Sequence, residues 1–256
     1  MEGVEMKTEI FEKRKVKMKD GVLITGLPGI GLIGQVVGRY IVQELKAKRV
    51  ATLYSHHFPH QVFMTKKGSM KLIKNSIYEY KNDKAELLIL VGDVQAMSSI
   101  GQYEVSEAIL DYAKKVGVNT ILTVGGYTTG KITEERRVFA VTTHKEMMPG
   151  FKKLNVIFGE ARGSIVGAAG LLPAIGRLKG FKGICLMGET HGGYVDTVSA
   201  RNIVKLLSDY FSIPIDLKRL DQRAKESEKM LKKIEEEIQK TMVTPYEASK
   251  GVSYIR

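Results

Sequence analysis

Short apolar runs alternate along the chain with longer segments in which apolar residues recur at helical spacing. The apolar runs lie at 22–25, 50–54, 86–91, 120–124 and 183–187, and the helical segments at 30–46, 105–116, 165–178 and 197–211. Continuous apolar runs are typical of strands buried on both faces, and their alternation with helices predicts βαβ units. Residues 1–215 are therefore predicted to form one α/β domain, a three-layer sandwich with a mainly parallel central sheet.

Weaker patterns predict additional strands. Two shorter apolar segments, 138–141 and 156–158, read as strands. Apolar and polar residues also alternate over 61–64 and 72–80, on either side of Lys67-Gly68. Alternation interrupted by a turn signal of this kind predicts a β-hairpin.

The pattern changes after Pro214. Seven positions spaced alternately by three and four residues predict an amphipathic helix over 216–240: Leu217, Leu220, Ala224, Ser227, Leu231, Ile234 and Ile238. So narrow an apolar seam must pack on another helix, which belongs either to the parent domain or to a partner chain.

The last segment, 241–256, is predicted to be a flexible tail because it contains Pro245 and Gly251 among small polar residues. It ends in Val252, Tyr254 and Ile255, which are apolar or aromatic. A flexible tether with an apolar tip predicts a docking peptide.

Composition excludes several classes of protein. The chain of 256 residues carries 40 Lys and Arg against 28 Asp and Glu, a net charge of +12, and one cysteine. It contains no apolar run long enough to cross a membrane and no signal-peptide pattern, so a cytoplasmic protein is expected. The one dense basic run, 11–20, lacks any nucleic-acid-binding motif beside it, so no nucleic-acid partner is expected.

Residues 26–34 (GLPGIGLIG) contain a G-x-G-x-x-G pattern between a predicted strand and a predicted helix. A dinucleotide site also needs an acidic residue at the end of the second strand, which here reads YSHH at 54–57. A phosphate-binding P-loop needs Lys and Ser or Thr where Leu32 and Ile33 stand. The glycines are therefore interpreted as permitting a tight turn and close helix–sheet packing, and no cofactor is expected.

His56, His57 and His60 form the sequence H-H-x-x-H. A metal ion needs three or four converging ligands, and no cysteine or acidic residue lies nearby in the sequence. In an extended strand, moreover, His56 and His57 would point to opposite sides. No metal site is predicted.

Polar residues follow three of the predicted strands, at the sheet edge where open α/β folds place their ligands. Asp93 and Gln95 follow the run at 86–91, 125–127 (GGY) follow the next, and Glu189 and His191 follow the last. Asp93, Glu189 and His191 are therefore the candidate polar groups of an enzyme pocket. No nucleophile completes them, because Ser98 and Ser99 lack a G-x-S-x-G motif and Cys185 lies within a strand.

Three segments together resemble the PAC2 family of proteasome assembly chaperones, in its archaeal branch. They are GLPGIGLIGQVVGRYIV at 26–42, Gly125-Gly126-Tyr127, and GICLMGETHGGYVD at 183–196. The resemblance covers most of residues 20–215. It implies a phosphorylase-like α/β sandwich that forms homo-oligomers and binds proteasome α-subunits or the α-ring through C-terminal tails.

The family's tail motif has a hydrophobic residue and then tyrosine as the penultimate residue. Here Tyr254 is antepenultimate and follows Ser253, so a sister PAC2 chaperone is the alternative partner. The resemblance assigns Tyr254 as the aromatic anchor, Val252 and Ile255 as apolar contacts, and Arg256 as the terminal carboxylate.

A non-catalytic assembly chaperone is the leading hypothesis. An enzyme with a phosphorylase- or hydrolase-like pocket at Asp93, Glu189 and His191 is the alternative.

Overall fold

The computed structural model describes residues 7–129 and 135–226. Its strands, in chain order, are β1 (Glu9–Glu12), β2 (Gly21–Gly26), β3 (Lys48–Tyr54), β4 (Val62–Met64), β5 (Met70–Leu72), β6 (Asn75–Lys81), β7 (Glu86–Gly92), β8 (Val118–Thr128), β9 (Val138–Thr142), β10 (Ile157–Phe158) and β11 (Lys182–Thr190). Within the described residues, nine of these strands form one sheet of order β1-β3-β6-β7-β2-β8-β11-β9-β10.

The centre of this sheet is parallel. β7, β2, β8 and β11 are neighbours that run in the same direction. β6 pairs with β7 and β9 pairs with β11 antiparallel. The turn 82–85 between β6 and β7 is too short for a parallel crossover, so this pair can only be antiparallel. The predicted α/β sandwich with a mainly parallel central sheet is confirmed, with antiparallel strands on its flanks.

Helices cover both faces of the sheet and make the three layers. They are α1 (Ile33–Glu44), α2 (Ser99–Val116), α3 (Met148–Lys152), α4 (Ala168–Leu178) and α5 (Thr197–Phe211). α1 packs with α5 on one face, and α2 packs with α4 on the other.

Consecutive residues of the central strands alternate between the two cores. Leu23 lies in the core under α2 and α4, whereas Ile24 lies in the core under α1 and α5. Successive side chains of a strand point to opposite faces, so two covered faces require an unbroken apolar run. Burying each such side chain contributes about 1.5–3 kcal/mol to stability. The positions are therefore apolar, and the apolar runs made these strands predictable from the sequence.

The helix boundaries follow local signals. The side chain of Ser98 caps α2 by accepting a hydrogen bond from the Gly101 amide at 3.1 Å, and Gly117 ends the helix with φ +92°. Glycine adopts this left-handed conformation without strain, which is why it is the common residue at this position after a helix. α1 begins at Ile33, later than predicted, because Gly31 and Leu32 have positive φ angles of 62° and 50°.

The glycine-rich segment packs helix against sheet. A Cβ atom on Gly26 would lie 2.6 Å from the Cα atom of Gly38, and one on Gly34 would lie 2.5 Å from the carbonyl oxygen of Val124. Neither position has room for a side chain. The interpretation of these glycines as packing residues is confirmed.

The predicted hairpin exists but is smaller than expected. β4 and β5 pair antiparallel in a separate two-stranded sheet, with Gly68 in the turn. The predicted strand 72–80 is divided, because β5 ends at Leu72 and β6 joins the main sheet from Asn75. All six residues of the hairpin strands are exposed.

The described part of the C-terminal helix, 218–226, packs on its own domain. Leu220 is fully buried in the core under α1 and α5, and Asp221 forms an ion pair with Arg201 of α5 at 2.7 Å. The rest of the predicted helix and the whole predicted tail, 241–256, lie outside the described residues. No helix in the described ranges combines the length and apolar character that spanning a bilayer requires.

Candidate functional site

A cavity of about 540 Å³ opens at the carboxyl ends of the parallel strands. We call it the strand-end cavity. Its floor is formed by residues of β2, β8 and β11, and its walls are the loop 27–30 and the segment 161–166. This is the edge of the sheet at which the sequence predicted a ligand pocket.

Close backbone packing shapes the cavity. A Cβ atom on Gly126 would lie 2.5 Å from the carbonyl oxygen of Ile30, so the glycine-rich loop rests directly on β8. Gln95 ties this loop to α4: its side-chain amide donates to the Pro28 carbonyl at 2.6 Å, and its oxygen accepts from the Ala168 amide at 3.0 Å. Gln95 is therefore a structural clamp, with both ends of its amide engaged.

The cavity offers little reactive chemistry. Among the described residues that line it, Arg162 is the one charged side chain, and acids and histidines are absent. The Cys185 thiol is buried, and this burial raises its pKa to about 11, so the thiol stays protonated at neutral pH. A protonated, buried thiol is a poor nucleophile, so Cys185 is a core residue of β11 and not a reactive group.

Glu189, one of the three predicted pocket residues, is held in an ion pair. It is almost fully buried, and Arg137 donates from Nε and Nη2 to its two oxygens, both at 2.9 Å. The backbone amide of Arg137 donates a third hydrogen bond at 3.2 Å. These contacts hold the pKa of Glu189 below its usual value. The carboxylate is therefore ionised and its lone pairs are largely occupied, which does not suit a general acid.

Asp93 and His191 have partners of their own. Asp93 lies 3.4 Å from the guanidinium of Arg39. The ring of His191 stacks on Tyr194, and its carbonyl accepts a hydrogen bond from Thr128 at 3.0 Å. Neither these two residues nor Glu189 is among the described residues that line the strand-end cavity. The structure places the three near the sheet edge but does not bring them together into one site.

A second ion pair at this edge could not be anticipated from the sequence. Arg136 donates from Nε to Asp196 at 3.2 Å, and both side chains are buried. Asp196 also caps α5 by accepting a hydrogen bond from the Ser199 amide at 3.0 Å. In the sequence, the adjacent arginines 136 and 137 indicate that two charged groups need partners here. Those partners could not be identified, because they lie more than 50 residues away in the sequence.

The histidines behave differently from the sequence expectation. His56 and His57 form a turn, not the extended strand in which they would point to opposite sides. Their ring centroids are 3.9 Å apart, and Glu104 of α2 approaches them. His60 is not part of this group. The sequence around the histidines does not show that a distant helix places the acidic side chain of Glu104 beside them.

Among the exposed apolar residues of the described surface are two groups whose members lie close together in the sequence. One is the β4–β5 hairpin, where Met64 is 89% and Met70 is 76% exposed. The other is the start of α2, where Met97, Ile100 and Tyr103 are exposed. Contiguous exposed apolar surface of this kind is typical of protein contact sites. The predicted binding residues Val252, Tyr254, Ile255 and Arg256 lie outside the described residues.

Comparisons with known proteins give a consistent result. The chain is 39% identical to Pyrococcus furiosus PbaB, described as an archaeal proteasome activator, with a TM-score of 0.85 over 90% of this chain and 100% of that chain. It is 22% identical to PbaA of the same organism, an archaeal homolog of proteasome-assembly chaperone, with a TM-score of 0.75 over 92% of this chain and 94% of that one, a likeness of fold.

An uncharacterized protein of Methanocaldococcus jannaschii, MJ1210, is 34% identical over 94% of this chain and 96% of its own length. The family model of the PAC2 family matches residues 23–235. This match includes the three segments on which the resemblance was based, and it extends over most of the chain. The chain belongs to the PAC2 family.

Proposed function

We propose that this protein is a non-catalytic chaperone of proteasome assembly or activation that acts in the cytoplasm as a homo-oligomer. It engages proteasome α-subunits, or a sister PAC2 protein, through its C-terminal tail. One observation carries the proposal: the chain is 39% identical, over the full length of that chain, to a protein described as an archaeal proteasome activator.

The chemistry of the strand-end cavity supports a role without catalysis. The described residues that line it include no acid or histidine, and its thiol is buried and protonated. Glu189, the best-placed carboxylate nearby, is paired with Arg137. A catalytic constellation needs a nucleophile, a base and a stabilising donor within mutual reach, and these groups do not meet here.

The recognition elements are predicted at the end of the chain. Tyr254 is the aromatic anchor, Val252 and Ile255 are its apolar neighbours, and Arg256 is a further contact with the partner. The net charge of +12 favours a partner with an acidic surface. Complex formation should therefore weaken as the salt concentration rises.

The test compares four forms of the full protein: the wild type, a deletion of residues 242–256, Tyr254→Ala, and the matched control Ser253→Ala. Each is mixed with archaeal proteasome α-subunits, and separately with a sister PAC2 protein, and analysed by size-exclusion chromatography with light scattering. The wild type and Ser253→Ala should co-elute with one of these partners, and the other two forms should not. Co-elution of the truncated protein would refute the tail proposal.

The oligomer is tested without a partner. The exposed hairpin methionines favour a contact between copies, so the double variant Met64→Ser, Met70→Ser should have a smaller mass by light scattering than the wild type. Leu178→Ser is the matched control, because Leu178 is also highly exposed but lies at the end of α4. An unchanged mass in the double variant would exclude the hairpin as the contact.

An enzyme remains the second candidate, and one observation favours it: the size and position of the strand-end cavity. A cavity of several hundred cubic ångströms at this edge is typical of ligand sites in α/β folds. Thermal unfolding in the presence of nucleosides, nucleotides or phosphate discriminates between the candidates. A ligand present at 100 times its Kd stabilises by about 2.7 kcal/mol, and no stabilisation by any of them would count against the enzyme.

A further inference from the structure

Three side chains that can bind metal ions converge where the turn after β3 meets α2. His56, His57 and Glu104 each offer a ligand atom, and these atoms all lie within 4.8 Å of one another. We propose that this cluster, the histidine–glutamate site, binds one divalent transition-metal ion, with zinc as the best match. The protein supplies three ligands, and water completes the coordination.

Two of the ligands, His57 and Glu104, are held in position. His57 is mostly buried, and its Nε2 lies 2.8 Å from an oxygen of Glu104. A Cβ atom on Gly101 would lie 2.5 Å from the Cβ atom of His57, so α2 can approach the histidine only because it carries glycine there. Glycine at this position lets Glu104, one helical turn further on, reach the imidazole.

Hydrogen bonds from two residues that are not ligands themselves, Thr8 and Ser55, fix the orientation of Glu104 and His57. Thr8 donates to the second oxygen of Glu104 at 2.7 Å and is also bonded to Ser55 at 2.8 Å. The Ser55 hydroxyl accepts a hydrogen bond from the His57 amide at 3.1 Å. Metal-binding sites characteristically fix their ligands through such outer partners. A surface ion pair needs none of them.

His56 completes the site from the solvent side. It is exposed, and its ring lies beside that of His57. Zinc bonds to imidazole nitrogen and carboxylate oxygen are about 2.0–2.2 Å long. An exposed side chain can rotate to shorten the present separations without disturbing the core. Two imidazoles and one carboxylate with an open position form a donor set that zinc and similar ions accept.

The alternative is that His57 and Glu104 form an ordinary ion pair and that His56 has no role. Three matched variants separate the two explanations. His56→Ala removes one ligand but no hydrogen bond to the core. Thr8→Ala leaves all three ligands and removes an outer hydrogen bond. His60→Ala removes a nearby histidine that lies outside the site.

The experiment uses the full protein after treatment with a chelator. Zinc is titrated by calorimetry, and cobalt is titrated with the visible absorption that reports tetrahedral coordination. The wild type and His60→Ala should bind one ion per chain and gain thermal stability. We expect His56→Ala to bind at least tenfold more weakly, and Thr8→Ala to lose roughly 10–100-fold in affinity.

Thermal unfolding without metal provides the folding control, and His56→Ala should match the wild type there. Failure of the wild type to bind either ion would overturn the proposal. So would equal weakening by His56→Ala and His60→Ala, which would indicate non-specific binding to surface histidines. Neither outcome affects the proposed binding of proteasome subunits, because the tail variants test that function separately.

Discussion

Glu189 and Glu104 are carboxylates in two regions of the molecule that differ in chemistry. Glu189 is buried at the edge of the sheet, and both of its oxygens accept hydrogen bonds from one arginine. The side chain of Glu104 is 42% exposed, and its partners are a histidine and a threonine. A full positive charge satisfies the first carboxylate, whereas the second can still coordinate an ion. The partner, more than the carboxylate, decides what such a site can do.

A second ion pair beside Glu189 is also satisfied within the fold. It joins Arg136 and Asp196, and both of its side chains are buried. Together the two pairs connect the start of β9 to the end of β11 and to the start of α5. Charges used in this way stabilise an edge of the fold. We therefore expect substitutions there to change the free energy of unfolding, and substitutions around Glu104 to change ligand binding.

The largest expected effect comes from Asp196→Ala. It leaves Arg136 buried without this partner and removes the cap of α5, so the free energy of unfolding should fall by about 3–5 kcal/mol. Denaturant unfolding measures the change. Asp209→Ala is the control, because Asp209 forms an exposed pair with Lys205 and its loss should cost less than about 0.5 kcal/mol. Equal losses in the two variants would contradict the role given to the buried pair.

The next effect compares the two glutamates directly. Arg137→Ala leaves the Glu189 carboxylate buried with one backbone hydrogen bond from residue 137, and we expect it to lower the free energy of unfolding more than a surface substitution does. Glu104→Gln keeps the size of a half-exposed side chain and should cost less than about 1 kcal/mol. Urea titrations of both variants provide the measurement. A larger loss for Glu104→Gln would reverse the comparison.

Glycine packing near the cavity should give a smaller effect. Gly34→Ala places a methyl group 2.5 Å from the Val124 carbonyl oxygen, and overpacking of this kind costs about 1–3 kcal/mol. Gly29→Ala, in the same motif, meets nothing within 4 Å and has an extended backbone. Its thermal midpoint should stay close to that of the wild type. A similar loss in both variants would mean that backbone flexibility, not packing, governs this segment.

The smallest effect is a dependence on pH. Arg137 lowers the pKa of Glu189 in the folded protein below the usual 4.5. As the pH falls, the unfolded chain therefore takes up the proton first. The stabilisation is complete above about pH 4.5 and is lost as the pH falls through the lowered value. Wild-type stability should fall more steeply than that of Glu189→Gln in this range, as unfolding curves between pH 3 and 6 would measure. Parallel curves would show that the ion pair contributes nothing.

Much of the fold was predictable because its signals are local. An apolar run marks a strand covered on both faces, and Gly117 marks the end of α2. The glycine motif at 26–34 indicated close packing from nine consecutive residues, although the backbone that crowds Gly26 and Gly34 belongs to Gly38 and Val124. The start of α1 was less predictable, because the left-handed turn at Gly31 and Leu32 depends on packing against β8 and β11.

The candidate sites were harder to predict. Asp93, Glu189 and His191 lie at the ends of strands, as their positions in the sequence indicated, but their side-chain partners could not be known. Arg137 reaches Glu189 across 52 positions of sequence, and Glu104 reaches His57 across 47. The local sequence around the histidines contains no acid. The cluster with Glu104 therefore could not be predicted without knowing where α2 packs.

The sequence alone determined the central strands and the four long helices, that they form an α/β sandwich, and which family the chain resembles, but it did not indicate β1 or α3. These properties depend on periodicity and on short motifs, which neighbouring residues encode. Only the tertiary structure decided which charges neutralise one another and which ligand atoms converge. Such pairings depend on distances in space between residues far apart in the chain, and only the packing of helices on the sheet sets those distances.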